Sequence, residues 1–142
     1  MRALPAIVVG IGAYRYDRAQ FPLLEYASND ADEIVRYLTT CWLNSDDIEL
    51  FRIKEEQATL AALSEVFATI ERQGPYDLQL LFLSGHGLVN AERTGFVMQP
   101  CSGSTSVSLL DSSTLDRLLG SVTAKRTILI LDCCYAKVSP GV

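Results

Sequence analysis

Two short segments of the chain carry side chains that could perform nucleophilic chemistry together. His86, the single histidine, lies in the run SGHG at residues 84–87, and Cys133 and Cys134 lie in the run DCCYA at residues 132–136. Each run follows an apolar stretch typical of a buried strand, so we expect both at the carboxyl ends of strands. A histidine can accept the proton of a cysteine, whose thiolate then attacks a carbonyl carbon. The two runs therefore predict a Cys–His pair for acyl transfer.

Other interpretations of these residues explain the pattern less well. A lone histidine can simply satisfy a loop, but glycines on both sides of His86 favour close approach of a ligand to the backbone. Free cysteines are most often buried as small apolar residues. A zinc site would need three of the four cysteines beside His86, and Cys41 falls within a predicted helix, so we expect no metal site. No CxxC spacing supports a redox dithiol, and the count does not suggest a disulfide framework.

Apolar runs alternate with segments of helical period along the chain. The predicted strands are residues 6–12, 48–53, 78–83 and 127–131, with a short extra strand at 95–98, and the predicted helices are residues 29–43, 59–73 and 113–122. Ser113 and Asp116 resemble a capping box at the start of the last helix. Continuously apolar strands alternating with amphipathic helices indicate an α/β fold, a three-layer sandwich with a mostly parallel sheet, over one domain at residues 1–142. Ligands bind such sheets beyond the carboxyl ends of the strands.

Composition excludes several classes of protein. The 142 residues are 49% hydrophobic and 20% charged, which is typical of a globular chain and not of a disordered one. The net charge of −5 comes without a basic patch, so we expect no nucleic-acid partner. No apolar run is long enough to span a bilayer, and no cleavage site follows the apolar start, so we expect a cytoplasmic protein without membrane association. Arg15 stands where the fingerprint GxGxxG needs a glycine, which excludes a dinucleotide site at Gly10 and Gly12.

Four segments, in the same order, resemble the caspase-like cysteine peptidases, specifically the metacaspase and bacterial caspase-homologue branch of the peptidase C14 type. They are IVVGIGAY, LLEYASNDADEIVRYL, LLFLSGHG and ILILDCCYA, and they span residues 6–136. The most specific feature is the apolar run ending in SGHG, followed about fifty residues later by an apolar run ending in DxC. The resemblance implies the large-subunit half of a caspase-like fold and a cysteine endopeptidase activity.

The same resemblance implies the catalytic residues. The nucleophile is the cysteine two positions after the aspartate, which is Cys134 and not Cys133, and the base is His86. The oxyanion hole is implied to be the backbone N–H groups of Gly87 and Cys134. Donors fixed in advance on a tight backbone suit the negative charge that develops in a tetrahedral intermediate.

The resemblance also implies a pocket for the substrate residue that precedes the scissile bond, called P1. The residues that match its wall are Asp30, Ser84 and Asp132. Two carboxylates in one pocket repel each other unless a cation enters, so we expect cleavage after arginine or lysine. Aspartate-cleaving caspases instead carry an arginine near the first of these positions and QACxG at the nucleophile, and this chain has neither.

Other expectations follow from where the chain departs from these peptidases. Tyr135-Ala136 replaces the HSG run that follows the nucleophile in many relatives. The calcium-dependent relatives carry an aspartate cluster after the histidine, whereas this chain has only the separated Asp111 and Asp116, so we expect no cofactor and no calcium requirement. The chain ends at Val142, eight residues after Cys134, where the resemblance implies two further strands.

The expected partners are therefore a protein or peptide substrate and the missing small-subunit portion or a second subunit. We expect the chain to be the large piece of a longer polypeptide, acting in regulated proteolysis such as bacterial cell death or defence. The alternative function is a non-catalytic caspase-like module that serves as a scaffold or interaction domain.

Overall fold

The computed structural model describes residues 4–41, 47–89, 91–100 and 106–137, with side chains described as far as residue 133. The strands are β1 (Leu4–Gly10), β2 (Ile48–Lys54), β3 (Tyr76–Val89), β4 (Thr94–Met98), β5 (Ser108–Asp111) and β6 (Ala124–Lys137), and the helices are α1 (Ala27–Thr40), α2 (Leu60–Gln73) and α3 (Ser112–Ser121). A short 3-10 turn, Glu55–Gln57, follows β2. The predicted alternation of strands and helices is confirmed.

The central strand of the sheet is β3. It pairs in parallel with β1 on one side and with β6 on the other, and β1 pairs in parallel with β2. Two short antiparallel strands complete the sheet, with β4 on the last residues of β3 and β5 on β4. The mostly parallel sheet is confirmed. Strand β5 was not predicted, because four residues are too few to establish a strand period.

Alternating side chains of the buried strands form two apolar layers. Ala6 and Val8 pack with Ala31 and Leu38 of α1 on one face of the sheet. Their neighbours Ile7 and Val9 belong to the larger cluster on the other face, which includes the buried side chains of α2 and α3. Since successive residues of a strand point to opposite faces, one continuously apolar strand serves both layers. The predicted three-layer α/β/α arrangement is confirmed.

Both strands that carry the chemistry are longer than predicted. The sequence placed 84–87 and 132–136 after strand ends, but the parallel β3–β6 register continues to the pair Val89 and Lys137, so both runs lie inside the strands. Glycine and polar residues weaken strand propensity, which is why the sequence pattern ended both strands early. Pairing with β6 over its whole length, with β1 and then with β4, holds the end of β3 in an extended conformation.

One prediction about a helix end is wrong in detail. The start of α3 is capped by Asp111, whose carboxylate accepts a hydrogen bond from Thr114 N at 2.8 Å, and not by Ser113 with Asp116. Asp111 ends β5, and its extended backbone suits the residue that precedes a helix. Helix α1 ends at Thr40, and the predicted continuation to residue 43 runs into residues outside the described ranges.

No helix in the described part of the chain is long and apolar enough to cross a membrane.

Gly10 allows α1 to lie directly against the end of β1. A Cβ placed there would come within 2.6 Å of Ala31 Cβ and 2.7 Å of Ala27 O, which are distances that real side chains do not tolerate. One of these contacts is helix backbone, so relief would require α1 to move away from the sheet. The small residues at these three positions therefore set the spacing between α1 and the sheet.

We predict that Gly10→Ala lowers the free energy of unfolding by about 1–3 kcal/mol, the usual cost of overpacking a well-packed core. Gly120 of α3 is the matched control, because a Cβ there meets nothing within 4 Å. Gly120→Ala should raise stability by about 0.5–1 kcal/mol through helix propensity. Urea unfolding followed by circular dichroism measures both, and equal effects in the two variants would contradict the close approach.

Candidate active site

The carboxyl ends of β3 and β6 bring the two chemically distinctive runs of the sequence side by side. Ser84 is the register partner of Asp132, and His86 is the register partner of Cys134. Neighbouring strands in a sheet lie about 4.8 Å apart, so each pair occupies adjacent backbone positions. The backbone thus places the predicted base and the predicted nucleophile next to each other at the sheet edge where parallel sheets bind ligands.

His86 is buried within a pocket built by the loop that follows β1. Its ring lies 5.5 Å from the ring of Tyr14 and 5.7 Å from that of Phe21, measured between centroids, and both rings are tilted to the imidazole. The Nε2 atom of His86 lies 2.7 Å from the carbonyl oxygen of Pro22. Two aromatic rings and one hydrogen bond therefore fix the orientation of the imidazole.

The contact with Pro22 also decides which nitrogen can act as a base. A carbonyl oxygen can only accept a hydrogen bond, so Nε2 must carry the proton. In a neutral imidazole the other nitrogen, Nδ1, is then unprotonated and available to accept a proton. A base whose second nitrogen is bound by a third group is the arrangement that activates a thiol nucleophile.

The hydroxyl of Tyr14 holds the backbone of His86 in place by hydrogen bonding. It accepts a hydrogen bond from His86 N at 3.0 Å and donates one to Val97 O at 2.7 Å, so it joins β3 to β4. Burial strongly raises the pKa of Tyr14, which keeps the hydroxyl protonated and able to donate. Gly85 must lack a side chain here, because a Cβ would collide with the Tyr14 hydroxyl and come within 2.9 Å of the Phe96 ring.

A second set of hydrogen bonds holds the loop that follows β1 in place. The carboxylate of Glu55 accepts hydrogen bonds from Gly12 N at 3.2 Å and Ala13 N at 3.1 Å. The buried amide of Gln99 accepts from Arg15 N at 3.0 Å and donates to Ala13 O at 2.9 Å. Gln99 also donates to Glu55 O at 3.1 Å, so the two braces are linked. Glu55 adopts a left-handed backbone, φ 37°, a strained conformation that this network maintains.

The pleat of β6 separates the two adjacent cysteines. Cys133 is partly buried against the apolar cluster on the α2 and α3 side of the sheet. Asp132 lines a cavity on the opposite side with Asp30 of α1. Because alternate residues of a strand face the same side, Cys134 occupies the same pleat position as Asp132 and the opposite one from Cys133.

The three residues matched to the P1 pocket line one cavity of about 440 Å³. Asp30 reaches it from the first turn of α1, the buried Ser84 from β3 and the exposed Asp132 from β6. Partial desolvation, and a hydrogen bond and charge repulsion from Asp132, raise the pKa of Asp30. The two carboxyl groups are thus close enough to share a proton when no cation lies between them.

The backbone N–H of Gly87 points toward β6. Ser84 O accepts from Ile11 N, and His86 N donates to Tyr14, so the even-numbered residues of this stretch direct their backbone groups away from β6. Along a strand these directions alternate, so the N–H of Gly87 faces the strand that carries Cys134.

No group of three or more histidine, cysteine, aspartate or glutamate residues that could hold a metal ion occurs within the described ranges.

Comparison with known proteins places this arrangement in a family. The sequence profile of the caspase domain of the C14 peptidases matches residues 4–141, which is nearly the whole chain. The chain belongs to the caspase-domain family. No curated protein matches it significantly.

Solved structures extend the likeness to the fold. A Geobacter sulfurreducens protein determined by crystallography in a structural genomics effort has a TM-score of 0.67 and 18% sequence identity, over 97% of this chain and 52% of the other. This caspase-domain chain therefore spans about half the length of the structure it matches. At such low identity the match concerns the fold alone.

Several residues of the site could not be predicted from the sequence. Pro22 contributes a backbone carbonyl, which leaves no trace in residue type. Glu55 and Gln99 act from 43 and 86 positions away along the chain, so only the fold reveals their contacts with the loop. Tyr14 is the one residue of this set that sequence reasoning could have found, because it follows the carboxyl end of a predicted strand, where functional side chains of parallel sheets collect.

We predict that Tyr14→Phe lowers the free energy of unfolding by about 1–3 kcal/mol, because it leaves the buried His86 N–H and Val97 C=O without their shared partner. The ring contact with His86 is preserved in this variant. Tyr37→Phe is the control, since Tyr37 is 52% exposed on α1. Thermal unfolding measures both variants, and equal stability of the two would show that the Tyr14 hydroxyl does not hold β3.

Proposed function

We propose that the chain carries the catalytic dyad of a cysteine endopeptidase that cleaves peptide bonds after arginine or lysine. The observation that carries this proposal is the position of a cavity lined by two carboxylates directly beside the register pair of His86 and Cys134. Family membership supports a peptidase. Within the cell we propose a cytoplasmic role in regulated proteolysis, such as bacterial cell death or defence.

The proposed reaction has two halves. Nδ1 of His86 takes the thiol proton of Cys134, and the thiolate attacks the carbonyl carbon of the scissile bond to form a tetrahedral intermediate. Collapse of the intermediate breaks the C–N bond, the amine leaves with the proton from His86, and a thioester remains on Cys134. Water, deprotonated by His86, then hydrolyses the thioester and releases the acid product and the free thiol. This dyad mechanism needs no metal or other cofactor.

The developing oxyanion would be bound by the backbone N–H groups of Gly87 and Cys134. The direction of the Gly87 N–H, toward β6, supports its place between the two strands that carry the dyad. In the β3–β6 register, Gly87 is paired with Tyr135. A substrate carbonyl can reach the Gly87 N–H only where the two strands part, so we propose that the strands separate beyond Ser84 when substrate binds.

We predict that Cys134→Ala abolishes labelling by a peptide that carries an alkylating group, whereas Cys133→Ala retains it. Cys133 packs on the far face of the sheet from the acidic cavity, so its loss costs packing and not reactivity. Mass spectrometry of the labelled protein locates the modified residue. Labelling that survives in Cys134→Ala and disappears in Cys133→Ala would reverse the assignment, and no labelling of the wild type would favour a non-catalytic interaction module.

We predict that peptides with arginine or lysine at P1 are cleaved, and that Asp132→Asn lowers kcat/KM for them about thirtyfold. This corresponds to about 2 kcal/mol, the low end for a charge facing a cation, because Asp132 is exposed. A profile of all P1 residues measures the preference. Selective cleavage after aspartate or after large apolar residues would contradict the basic pocket.

A pH dependence follows from the same pair of carboxyl groups. The pKa of Asp30 is raised, so as the pH falls Asp30 takes up a proton earlier than an ordinary aspartate and the cavity loses negative charge. We predict that KM for an arginine substrate rises on mild acidification and that Asp30→Asn flattens this rise while raising KM at neutral pH. An unchanged KM profile in the variant would show that Asp30 does not bind the P1 residue.

The exposure of strand β6 supports the proposal that a further polypeptide segment packs against it. Within the described part of the chain β6 pairs only with β3, and Ile128 through Leu131 are each between 38% and 46% exposed although all four are apolar. Because successive residues face opposite sides, both faces of this edge strand are open, which favours association. We propose that a small-subunit portion, or a second subunit, covers β6.

We predict that residues 1–142 alone self-associate in sedimentation velocity, and that co-expression with downstream sequence of the same polypeptide yields a discrete, active species. Leu131→Lys should reduce self-association by placing a charge on the exposed strand, with Ala68→Lys, which adds the same charge at an exposed position of α2, as a control that leaves β6 intact. A monomeric, fully active chain of 142 residues would refute the proposal.

A further inference from the structure

The acidic cavity has an aromatic wall that its match to the P1 pocket does not include. Besides the two aspartates and Ser84, the cavity is lined by Glu25 and Tyr26. Tyr26 is 71% exposed, the largest exposed fraction among the large apolar and aromatic side chains of the described residues. A large aromatic ring left this open to solvent, at the mouth of a cavity, is a surface on which a ligand can pack.

Helical geometry places Tyr26 one turn before Asp30. Tyr26 has helical backbone angles, φ −105° and ψ −18°, and its carbonyl oxygen accepts the hydrogen bond of Asp30 N at 2.8 Å. Residues four apart in a helix lie on the same face, one above the other. The side chain of Tyr26 makes no capping hydrogen bond, so its ring does not serve to start the helix.

We propose that Tyr26 is a specificity-determining residue that packs its ring on the guanidinium plane of a P1 arginine and so selects arginine over lysine. The inference rests on the proposed function, since it concerns the P1 side chain of that reaction. A guanidinium is planar, so it can bind carboxylates through its edge while its face lies on an aromatic ring. A lysine ammonium is a compact, strongly hydrated charge that gains less from the same ring.

The carboxylates alone do not produce this selection. Asp30 and Asp132 attract any cation, and Glu25 adds a third negative charge to the same cavity. Charge therefore explains a preference for basic residues, whereas the ring of Tyr26 distinguishes between the two basic side chains.

The experiment compares kcat/KM for two peptides that differ only in arginine or lysine at P1, using the active form of the protein. Tyr26→Leu removes the aromatic face, and we expect the arginine-to-lysine ratio to fall about three- to thirty-fold, mainly through loss of arginine cleavage. Tyr26→Phe should retain the ratio, because it keeps the ring. Tyr37→Leu is the matched control, an exposed tyrosine of the same helix that does not line the cavity.

The outcomes separate this inference from the proposed function. If both peptides are cleaved and Tyr26→Leu leaves their ratio unchanged, the role of Tyr26 is overturned while the endopeptidase stands. A ratio that falls equally in Tyr26→Phe and Tyr26→Leu overturns ring stacking. If the wild type cleaves after neither basic residue, the proposed function and this inference both fail. Circular dichroism of each variant confirms that α1 is retained.

Discussion

The site depends on the parallel pairing of two 14-residue strands, β3 and β6. Their register runs without a slip from Tyr76 and Ala124 to Val89 and Lys137. A shift of one residue would reverse the face of every side chain on one strand, and would separate Ser84 from Asp132 and His86 from Cys134. The buried apolar middle of β3 opposes such a shift, because Leu80 and Phe82 pack on one layer while Leu81 and Leu83 pack on the other.

Around this pair, the loop after β1 provides a rigid surrounding for the histidine. Its position is fixed from three directions: by Glu55 after β2, by Gln99 after β4, and by the hydroxyl of Tyr14 against β3 and β4. The cost of a strained Glu55 backbone is offset by hydrogen bonds to backbone N–H groups that would otherwise need water. Through this loop, the carbonyl of Pro22 assigns the proton of His86 to Nε2.

The acidic cavity beside this loop has a different physical character. Here carboxyl groups from α1 and β6 face each other across an open cavity, and the repulsion between them is relieved only by a proton or a cation. The exposed apolar residues of β6 come immediately before Asp132 in the same strand. A segment that covered β6 would exclude water near the cavity and strengthen its attraction for a cation. Covering the strand and binding the P1 residue are therefore physically connected in the function we propose.

Residue types and their spacing were enough to predict the α/β sandwich, the parallel sheet and the resemblance to caspase-like peptidases. Strand and helix periods depend on local sequence, and the runs SGHG and DCCYA carry their chemistry in residue identity. The same local reasoning failed at the ends of elements, where it stopped β3 and β6 too early and chose the wrong cap for α3, because pairing and capping partners there come from neighbouring segments.

The distant groups that complete the site are brought together only by the fold. The proton on Nε2 of His86 depends on a backbone carbonyl 64 residues away, and the bracing by Glu55 and Gln99 depends on contacts that no sequence period records. The fold also decided that Cys133 faces the α2 and α3 layer, because the pleat alternates only once the register is known. The sequence determined which chemical groups this protein has, and the packing of the loop after β1 against the sheet determined how they are oriented.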